Sequence, residues 1–126
     1  MPENQERKLP TTVDTQQSEN YVSHMVELVR TSVFDEWLSE LRDRTAKARI
    51  EIRIRRLGLG NPGDVKPVGE GISEMRISYG PGYRVYFMQR GQQLAVLLCG
   101  GDKSTQDDDI EEAKKLARQW KEENDE

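Results

Sequence analysis

Apolar and polar positions first alternate along the chain and then change to a helical spacing. Residues 26–30 alternate as a short strand does. A capping box that begins at Ser32 marks the start of a helix. The apolar face of this helix comprises Phe34, Trp37, Leu38 and Leu41. The pattern therefore predicts a strand followed by a helix.

A second apolar stripe follows on a segment that Thr45 is expected to cap. The stripe comprises Ala48, Ile50, Ile52, Ile54, Leu57 and Leu59. The segment 58–63 contains three glycines, an asparagine and a proline, which favour turns and end the helix. The two helices are predicted to form a hairpin.

The spacing of apolar residues then changes to every second position. It does so over 74–79 and over 83–88, and the turn Gly80-Pro81-Gly82 separates the two runs. The alternation predicts a β-hairpin with one polar face. That face is expected to carry Glu74, Arg76 and Ser78 on one strand and Arg84 and Tyr86 on the other.

The C-terminal third predicts a central strand and a final helix. Leu94–Cys99 is a continuous apolar run, as in strands buried on both faces. Ser104 or Thr105 is expected to cap a helix whose first turn contains Asp107, Asp108 and Asp109. The order of strand, two helices, three meandering strands and helix predicts an α+β fold with a small, mostly antiparallel sheet.

Length and composition indicate one folded domain. The 126 residues fit a single unit, expected over 25–126, and the polar residues 1–24 are predicted to form a disordered arm. The chain has no apolar run long enough for a membrane span and no signal-peptide pattern. We therefore expect a soluble, cytoplasmic protein without a membrane partner.

Few residues are available for metal or cofactor chemistry. His24 is the single histidine and Cys99 the single cysteine, which argues against clustered-histidine metal sites and a disulfide framework. The glycine motifs of nucleotide-binding loops do not occur. We expect neither a metal nor a small-molecule cofactor.

Charge is distributed unevenly although the net charge is only -4. Residues 42–66 carry eight basic side chains against three acidic ones, and residues 101–126 carry ten acidic against five basic. A basic middle could bind a polyanion, and the alternative is a solvated helix face. The candidate RNA contacts in this block are Arg49, Arg53 and Arg56, on one helix stripe, and Lys66.

The predicted hairpin brings two arginines side by side. Like charges on neighbouring strands repel unless an anion lies between them, and guanidinium groups bind phosphate with paired donors. Lys103 follows the last strand near a helix N-terminus, which also favours anions. Tyr86 is expected at the surface, where its ring could stack on a base. The alternative is that Arg76 and Arg84 only face solvent or pair with Glu74.

Three motifs together, GNPGDVKPVG, GPGYRVYF and GGDKS, resemble the phage-derived, HigB-like branch of the RelE/ParE toxin superfamily, often called addiction module killer proteins. The resemblance extends from about Phe34 to Trp120, roughly two thirds of the chain. It implies a RelE-like fold and a toxin of a type II toxin–antitoxin pair. Such toxins usually cut mRNA on the ribosome, and their antitoxin is commonly a helix-turn-helix protein.

The resemblance also suggests roles for single residues. It implies that Arg84, in GPGYRVYF, contacts the scissile phosphate, with Arg76 and Lys103 as further basic residues of the site. Asp102 stands where relatives often have histidine or another polar residue. The C-terminal tyrosine typical of RelE is missing. ParE relatives share this fold and poison DNA gyrase, so a non-catalytic toxin that binds gyrase or another protein is the alternative, and a decayed toxin is a third.

RNA cleavage by such a protein needs no metal, because the RNA 2'-hydroxyl can attack its own 3'-phosphate. The arginines and Lys103 are predicted to neutralise the charge on phosphorus. Glu74 and Asp102 are the candidate bases, although their ordinary pKa values match neutral pH poorly.

Overall fold

The five-stranded sheet lies between a pair of helices on one face and a single helix on the other. The computed structural model describes residues 25–125, and the predicted N-terminal arm lies outside the described residues. The elements are β1 (Glu27–Arg30), α1 (Ser32–Glu40), α2 (Arg44–Gly58), β2 (Val65–Gly69), β3 (Ile72–Ile77), β4 (Tyr83–Arg90), β5 (Leu94–Asp102), a 3-10 turn (Lys103–Thr105) and α3 (Gln106–Asn124). The predicted α+β class, helical hairpin and C-terminal helix are confirmed.

The strand order is β1-β5-β4-β3-β2. Only β1 and β5 run parallel, and the other neighbours are antiparallel, as predicted. The edge strand β2 was not predicted, because its residues Val65–Gly69 include a proline and a lysine and lack an apolar alternation. It forms because β3 offers it backbone partners.

Both helices of the hairpin are capped earlier than the sequence predicted. The Thr31 hydroxyl accepts a hydrogen bond from the Phe34 N–H at 3.0 Å, and the Asp43 carboxylate accepts one from the Ala46 N–H at 3.1 Å. The cap residues are therefore Thr31 and Asp43 rather than Ser32 and Thr45. The Thr31 hydroxyl also donates to the Leu98 carbonyl at 2.7 Å, which ties the start of α1 to β5.

Two hydrophobic clusters lie on opposite faces of the sheet. The cluster beneath α1 and α2 includes Phe34, Leu38, Ile50, Ile54, Leu57, Met75, Val85 and Leu97. The cluster beneath α3 includes Ile72, Tyr86, Met88, Val96, Leu98, Cys99, Ala113 and Ala117. Alanines on α3 have no long side chains, so this helix can pack closely on the sheet. Ile52 and Leu59, predicted on the buried stripe of α2, are instead exposed.

The prediction that one face of the β3–β4 hairpin is polar and exposed is wrong for half of that face, because α3 covers the half that contains Glu74 and Tyr86. Glu74 and Tyr86 are fully buried there. Only the end of the hairpin next to the Gly80-Pro81-Gly82 turn extends beyond this cover, and Arg76 is partly exposed at that end. Within the described residues, every helix is too short or too polar to cross a membrane.

Candidate active site

Arg76 and Arg84 are directly opposite each other in the antiparallel pairing of β3 with β4. Residues opposite each other in such a pair project to the same side of the sheet, so the predicted side-by-side placement is confirmed. The next pair on that side is Glu74 with Tyr86, and Gly101 of β5 lies opposite Arg84 on its other flank. The pairing brings the predicted catalytic residues of both strands together.

Arg76 is held by a carboxylate that precedes β2. Its Nη2 donates to Asp64 Oδ1 at 2.8 Å, and its backbone N–H donates to the Asp64 carbonyl at 3.0 Å. The hydrogen bond from Arg76 lowers the pKa of Asp64, and it raises the pKa of Arg76 in return. Both side chains are well exposed, with 39% of Arg76 and 57% of Asp64 accessible. The pair can therefore open to admit an anion at a modest free-energy cost.

Arg84 is more deeply placed, with only 13% of its side chain accessible. Its Nη1 donates to the Gly82 carbonyl at 2.7 Å, and its Nε lies 3.7 Å from Glu74 Oε2. Gly82 has a φ of +82°. A Cβ at Gly82 would lie 3.1 Å from Arg84 Nη1 and 3.6 Å from the Lys103 Cβ. The Gly82 turn therefore has the Arg84 guanidinium and the base of the Lys103 side chain on the same side, and the predicted placement of Lys103 beside the start of α3 is confirmed.

Glu74 lies underneath Arg84 and not at the surface. Its Oε2 accepts hydrogen bonds from the Tyr86 hydroxyl at 3.1 Å and from Gln106 Nε2 at 2.7 Å. Burial raises the pKa of Tyr86. The prediction that Tyr86 is a surface ring is wrong, because α3 closes over it, and it cannot stack on a base there. The same cover separates Glu74 from any substrate on the surface.

Asp102 ends β5 and organises the turn that carries Lys103. Its Oδ1 accepts hydrogen bonds from the Ser104 hydroxyl at 2.5 Å and from the Ser104 N–H at 2.8 Å. These bonds lower the pKa of Asp102. Asp102 therefore has a local structural partner in Ser104, and its role as a base stays a prediction.

A fourth carboxylate, Asp109, lies against Gly101, which is opposite Arg84 in the sheet. Asp107, Asp108 and Asp109 lie in the first turn of α3, as predicted, but Asp109 turns inward. Its Oδ2 accepts a hydrogen bond from the Thr105 hydroxyl at 2.6 Å and occupies the space where a Cβ of Gly101 would be. Burial raises the pKa of Asp109.

Asp64, Gln106 and Asp109 were not predicted as parts of the site. A glycine inside the strand β5, at position 101, was the signal for Asp109, since a strand glycine often marks a close approach of another group.

The predicted arginine stripe of α2 lines a groove beside the end of β3. The lining residues are Arg49, Ile52, Arg53, Arg56, Ile77 and Ser78. The Arg53 guanidinium donates hydrogen bonds to three backbone carbonyls: those of Arg76 at 2.7 Å, Pro62 at 3.1 Å and Asp64 at 3.3 Å. Arg53 therefore fixes the backbone that carries Arg76 and Asp64.

Two other members of the predicted RNA-binding set remain open to solvent on the helix. Arg56 is exposed, and the Arg49 guanidinium lies 4.8 Å from the centre of the Tyr79 ring. Lys66 is exposed on the edge strand β2, opposite Glu74. The exposed cations thus border the site on two sides.

Comparison with known proteins identifies the family of the chain. The sequence model described as "Phage derived protein Gp49-like (DUF891)" matches residues 36–121. The chain belongs to the phage-derived Gp49-like family. This is a RelE-like, toxin-like family, and membership implies an antitoxin partner. An uncharacterised protein of Haemophilus influenzae is 53% identical over 94 residues, which cover 75% of this chain and 95% of that protein.

Proposed function

We propose that this Gp49-like protein is the toxin of a type II toxin–antitoxin pair, of the HigB-like branch, and that it cleaves mRNA on the ribosome without a metal. One observation carries the proposal: Arg76 and Arg84 are opposed on paired strands, and the Lys103 side chain starts beside the Gly82 turn that holds Arg84. Asp64 and Glu74 neutralise part of this charge, but the Asp64–Arg76 pair is exposed and can open, and Arg84 Nη2 has no hydrogen-bond partner among the described residues. A phosphate of the RNA backbone fits these donors, because guanidinium groups bind it in pairs.

The reaction that suits these cations is an internal transfer of the RNA phosphate. The 2'-oxygen bonds to phosphorus and gives up its proton, while the bond from phosphorus to the 5'-oxygen breaks and that oxygen gains a proton. The products are a 2',3'-cyclic phosphate and a 5'-hydroxyl end. Arg76 and Arg84 stabilise the extra negative charge on the phosphorane, and Lys103 stabilises the departing oxygen.

Carboxylates contribute less to this reaction than the cations do. Asp102 borders the cations, but its lowered pKa makes it a weak base at neutral pH. Glu74 is buried and does not reach the RNA. Alignment and charge stabilisation therefore supply most of the rate, and a ribosome that presents the mRNA in a fixed conformation supplies the alignment. A ribosomal target would place the activity in the cytoplasm.

The RNA follows the exposed cations around the site. Arg49 and Arg56 contact backbone phosphates along the α2 groove, and Lys66 does so at the other border. Arg53 has a different part in this proposal, because its hydrogen bonds fix the β3 end and the loop that carries Asp64. Phosphate contacts of this kind position the strand without selecting its sequence.

Mapping of transcript 5' ends tests the proposal. The protein is induced briefly in cells without the antitoxin, and wild type is compared with Arg84→Ala. Arg118→Ala is the matched control, because Arg118 is an exposed arginine that pairs with Glu70, in the turn before β3. New ends inside translated reading frames are expected for wild type and Arg118→Ala and are expected to disappear in Arg84→Ala.

Intact transcripts in growth-arrested cells would contradict the proposal. That result would indicate the alternative, a ParE-like toxin that binds DNA gyrase or another protein. Intact transcripts with normal growth would indicate a decayed toxin. Antitoxin binding by each variant confirms that the folded protein has been tested.

A further inference from the structure

The buried Glu74 carboxylate connects the arginine of the site to helix α3. Glu74 has 1% of its side chain accessible, and three side chains from two elements, β4 and α3, approach its Oε2. Tyr86 of β4 donates its hydroxyl proton at 3.1 Å, Gln106 of α3 donates from Nε2 at 2.7 Å, and Arg84 Nε lies at 3.7 Å. A buried carboxylate is costly unless charge and hydrogen bonds compensate it. Arg84 supplies the charge and the other two supply the hydrogen bonds.

These contacts are unevenly distributed over the carboxylate. Glu74 Oε1 and Arg84 Nε are both buried, and neither has a hydrogen-bond partner within residues 25–125. The ion pair between Arg84 and Glu74 is therefore close, but it is not closed by a hydrogen bond. The carboxylate takes its position from its two neutral donors. Tyr86 is fixed in the core of the sheet, so the adjustable donor is Gln106, the first residue of α3.

Phosphate binding by Arg84 requires its guanidinium to keep one orientation, with Nη2 available to the phosphate. Gly82 holds Nη1 and Glu74 lies beside Nε, which leaves Nη2 without a hydrogen bond to any residue of the described chain. An arginine held by one hydrogen bond and one close ion pair loses less freedom when it binds phosphate than an arginine that rotates freely in solvent. A guanidinium that rotates freely has to be oriented at each binding event.

We propose that Gln106 and Glu74 are positioning residues for Arg84: Gln106 holds the Glu74 carboxylate, and Glu74 orients the guanidinium toward the RNA phosphate. This inference rests on the proposed function, because it assigns the phosphate contact to Arg84. It gives Glu74 a role different from that of a base. It also makes the seating of α3 on the sheet a condition for activity, since Gln106 is part of that helix.

Three variants test the inference. Gln106→Ala removes the amide donor, and Glu74→Gln removes the charge while it keeps the shape. Gln119→Ala is the matched control, because Gln119 is an exposed glutamine on the same helix. The first measurement is the ¹⁵N NMR signal of the Arg84 Nε–H. We expect it to shift and broaden in Gln106→Ala and Glu74→Gln and to remain unchanged in Gln119→Ala.

The second measurement is cleavage of mRNA in a cell-free translation reaction, with kcat and KM determined separately. A misplaced Arg84 lowers kcat, by roughly 10- to 100-fold, and changes KM little. The pH profile of Glu74→Gln should keep the shape of wild type. Loss of its acidic limb would show that Glu74 is the base and would overturn the inference.

The two measurements separate the inference from the function on which it rests. An unchanged Arg84 signal, or wild-type kcat in a folded Gln106→Ala, overturns the inference alone. Failure of the wild-type protein to cut mRNA overturns the proposed function and the catalytic part of the inference with it. If Gln106→Ala loses its fold, Gln106→Asn replaces it, because the shorter amide keeps its polarity and cannot reach Glu74.

Discussion

Arg76 and Arg84 are opposite each other on β3 and β4, yet each guanidinium is held by a different carboxylate. Asp64 binds Arg76 at 2.8 Å on the surface, and Glu74 lies 3.7 Å from Arg84 beneath α3. The two cations differ for this reason in how freely they move. The core sets the position of Arg84, whereas Arg76 depends on a surface pair that a phosphate can displace.

Replacement of Arg84 by lysine should reduce cleavage although the charge remains. Lysine has one nitrogen and cannot bind the Gly82 carbonyl, approach Glu74 and contact phosphate together. We expect a loss of about 10²–10³-fold in kcat, in the range found when one stabilising donor is removed. Single-turnover cleavage in a translating extract measures it, and Arg118→Lys is the control. Near-wild-type activity would show that charge alone is sufficient.

The arginines of the α2 groove should separate into a structural and a binding group. Arg53→Ala should lower the free energy of unfolding by about 1–3 kcal/mol, because its three acceptor carbonyls lose a charged donor. Arg56→Ala should stay within about 0.5 kcal/mol of wild type. Arg56→Ala should instead lower the affinity for RNA and make that affinity less dependent on salt concentration. Chemical denaturation and RNA titrations at several salt concentrations measure these effects. Loss of stability in Arg56→Ala, with unchanged stability in Arg53→Ala, would contradict the structure.

The Asp64–Arg76 pair should stabilise the protein at neutral pH and not in acid. The pKa of Asp64 is lower in the folded protein than the unfolded value of about 3.9, so its contribution is present above that value. The contribution is lost as the pH falls through the folded pKa. Asp64→Asn should therefore melt at a lower temperature than wild type at pH 7, and the difference should disappear in strong acid. In an Arg76→Gln background Asp64→Asn should make little difference at either pH.

Asp109 should destabilise the folded protein at neutral pH. Burial raises its pKa, so ionisation opposes folding once the pH exceeds the unfolded value, and the penalty is complete above the folded value. Asp109→Asn keeps an acceptor for the Thr105 hydroxyl and should melt at a higher temperature than wild type at pH 7. The gain should disappear in strong acid, where wild type is protonated. Asp108→Asn, at the exposed neighbouring position, should show no such pH-dependent gain.

Gly101 should tolerate no side chain while Asp109 is present. A Cβ at Gly101 would overlap the Asp109 carboxylate, and overpacking of this kind costs roughly 1–3 kcal/mol. Gly101→Ala should lower the unfolding free energy, and the double variant Gly101→Ala with Asp109→Ala should recover much of it. Denaturant melts of both single variants and the double variant test the coupling. If the losses of unfolding free energy in the two single variants simply add in the double variant, the predicted overlap between Gly101 and Asp109 is wrong.

Much of the fold could be predicted, because every element except β2 has a local sequence pattern. The period of two over 74–79 and 83–88, with a glycine-rich turn between, was sufficient to place Arg76 and Arg84 on the same side of a hairpin. Lys103 was placed for a similar reason, between an apolar strand and a helix start. The edge strand β2 was missed because its pairing with β3, and not its own sequence, makes it a strand.

The candidate site was predicted less completely, because contacts between distant segments decide it. Alternation showed that Glu74 and Tyr86 lie on one face, but not that α3 would cover that face some thirty residues later in the chain. Arg53 looked like its neighbours on the stripe, and only the folded loop at 62–64 reveals that its donors are used.

The sequence alone determined the order of the elements other than β2, the α+β class and the opposed arginines, because short-range periodicity and turn residues encode them. The tertiary structure alone decided which charged groups are accessible. The docking of α3 turned Glu74 from a candidate base into a buried partner of Arg84 and brought Asp109 against Gly101. The physical reason is that the burial of a charged group, and therefore its pKa and its access to a ligand, depends on segments that are distant in the sequence and pack against it.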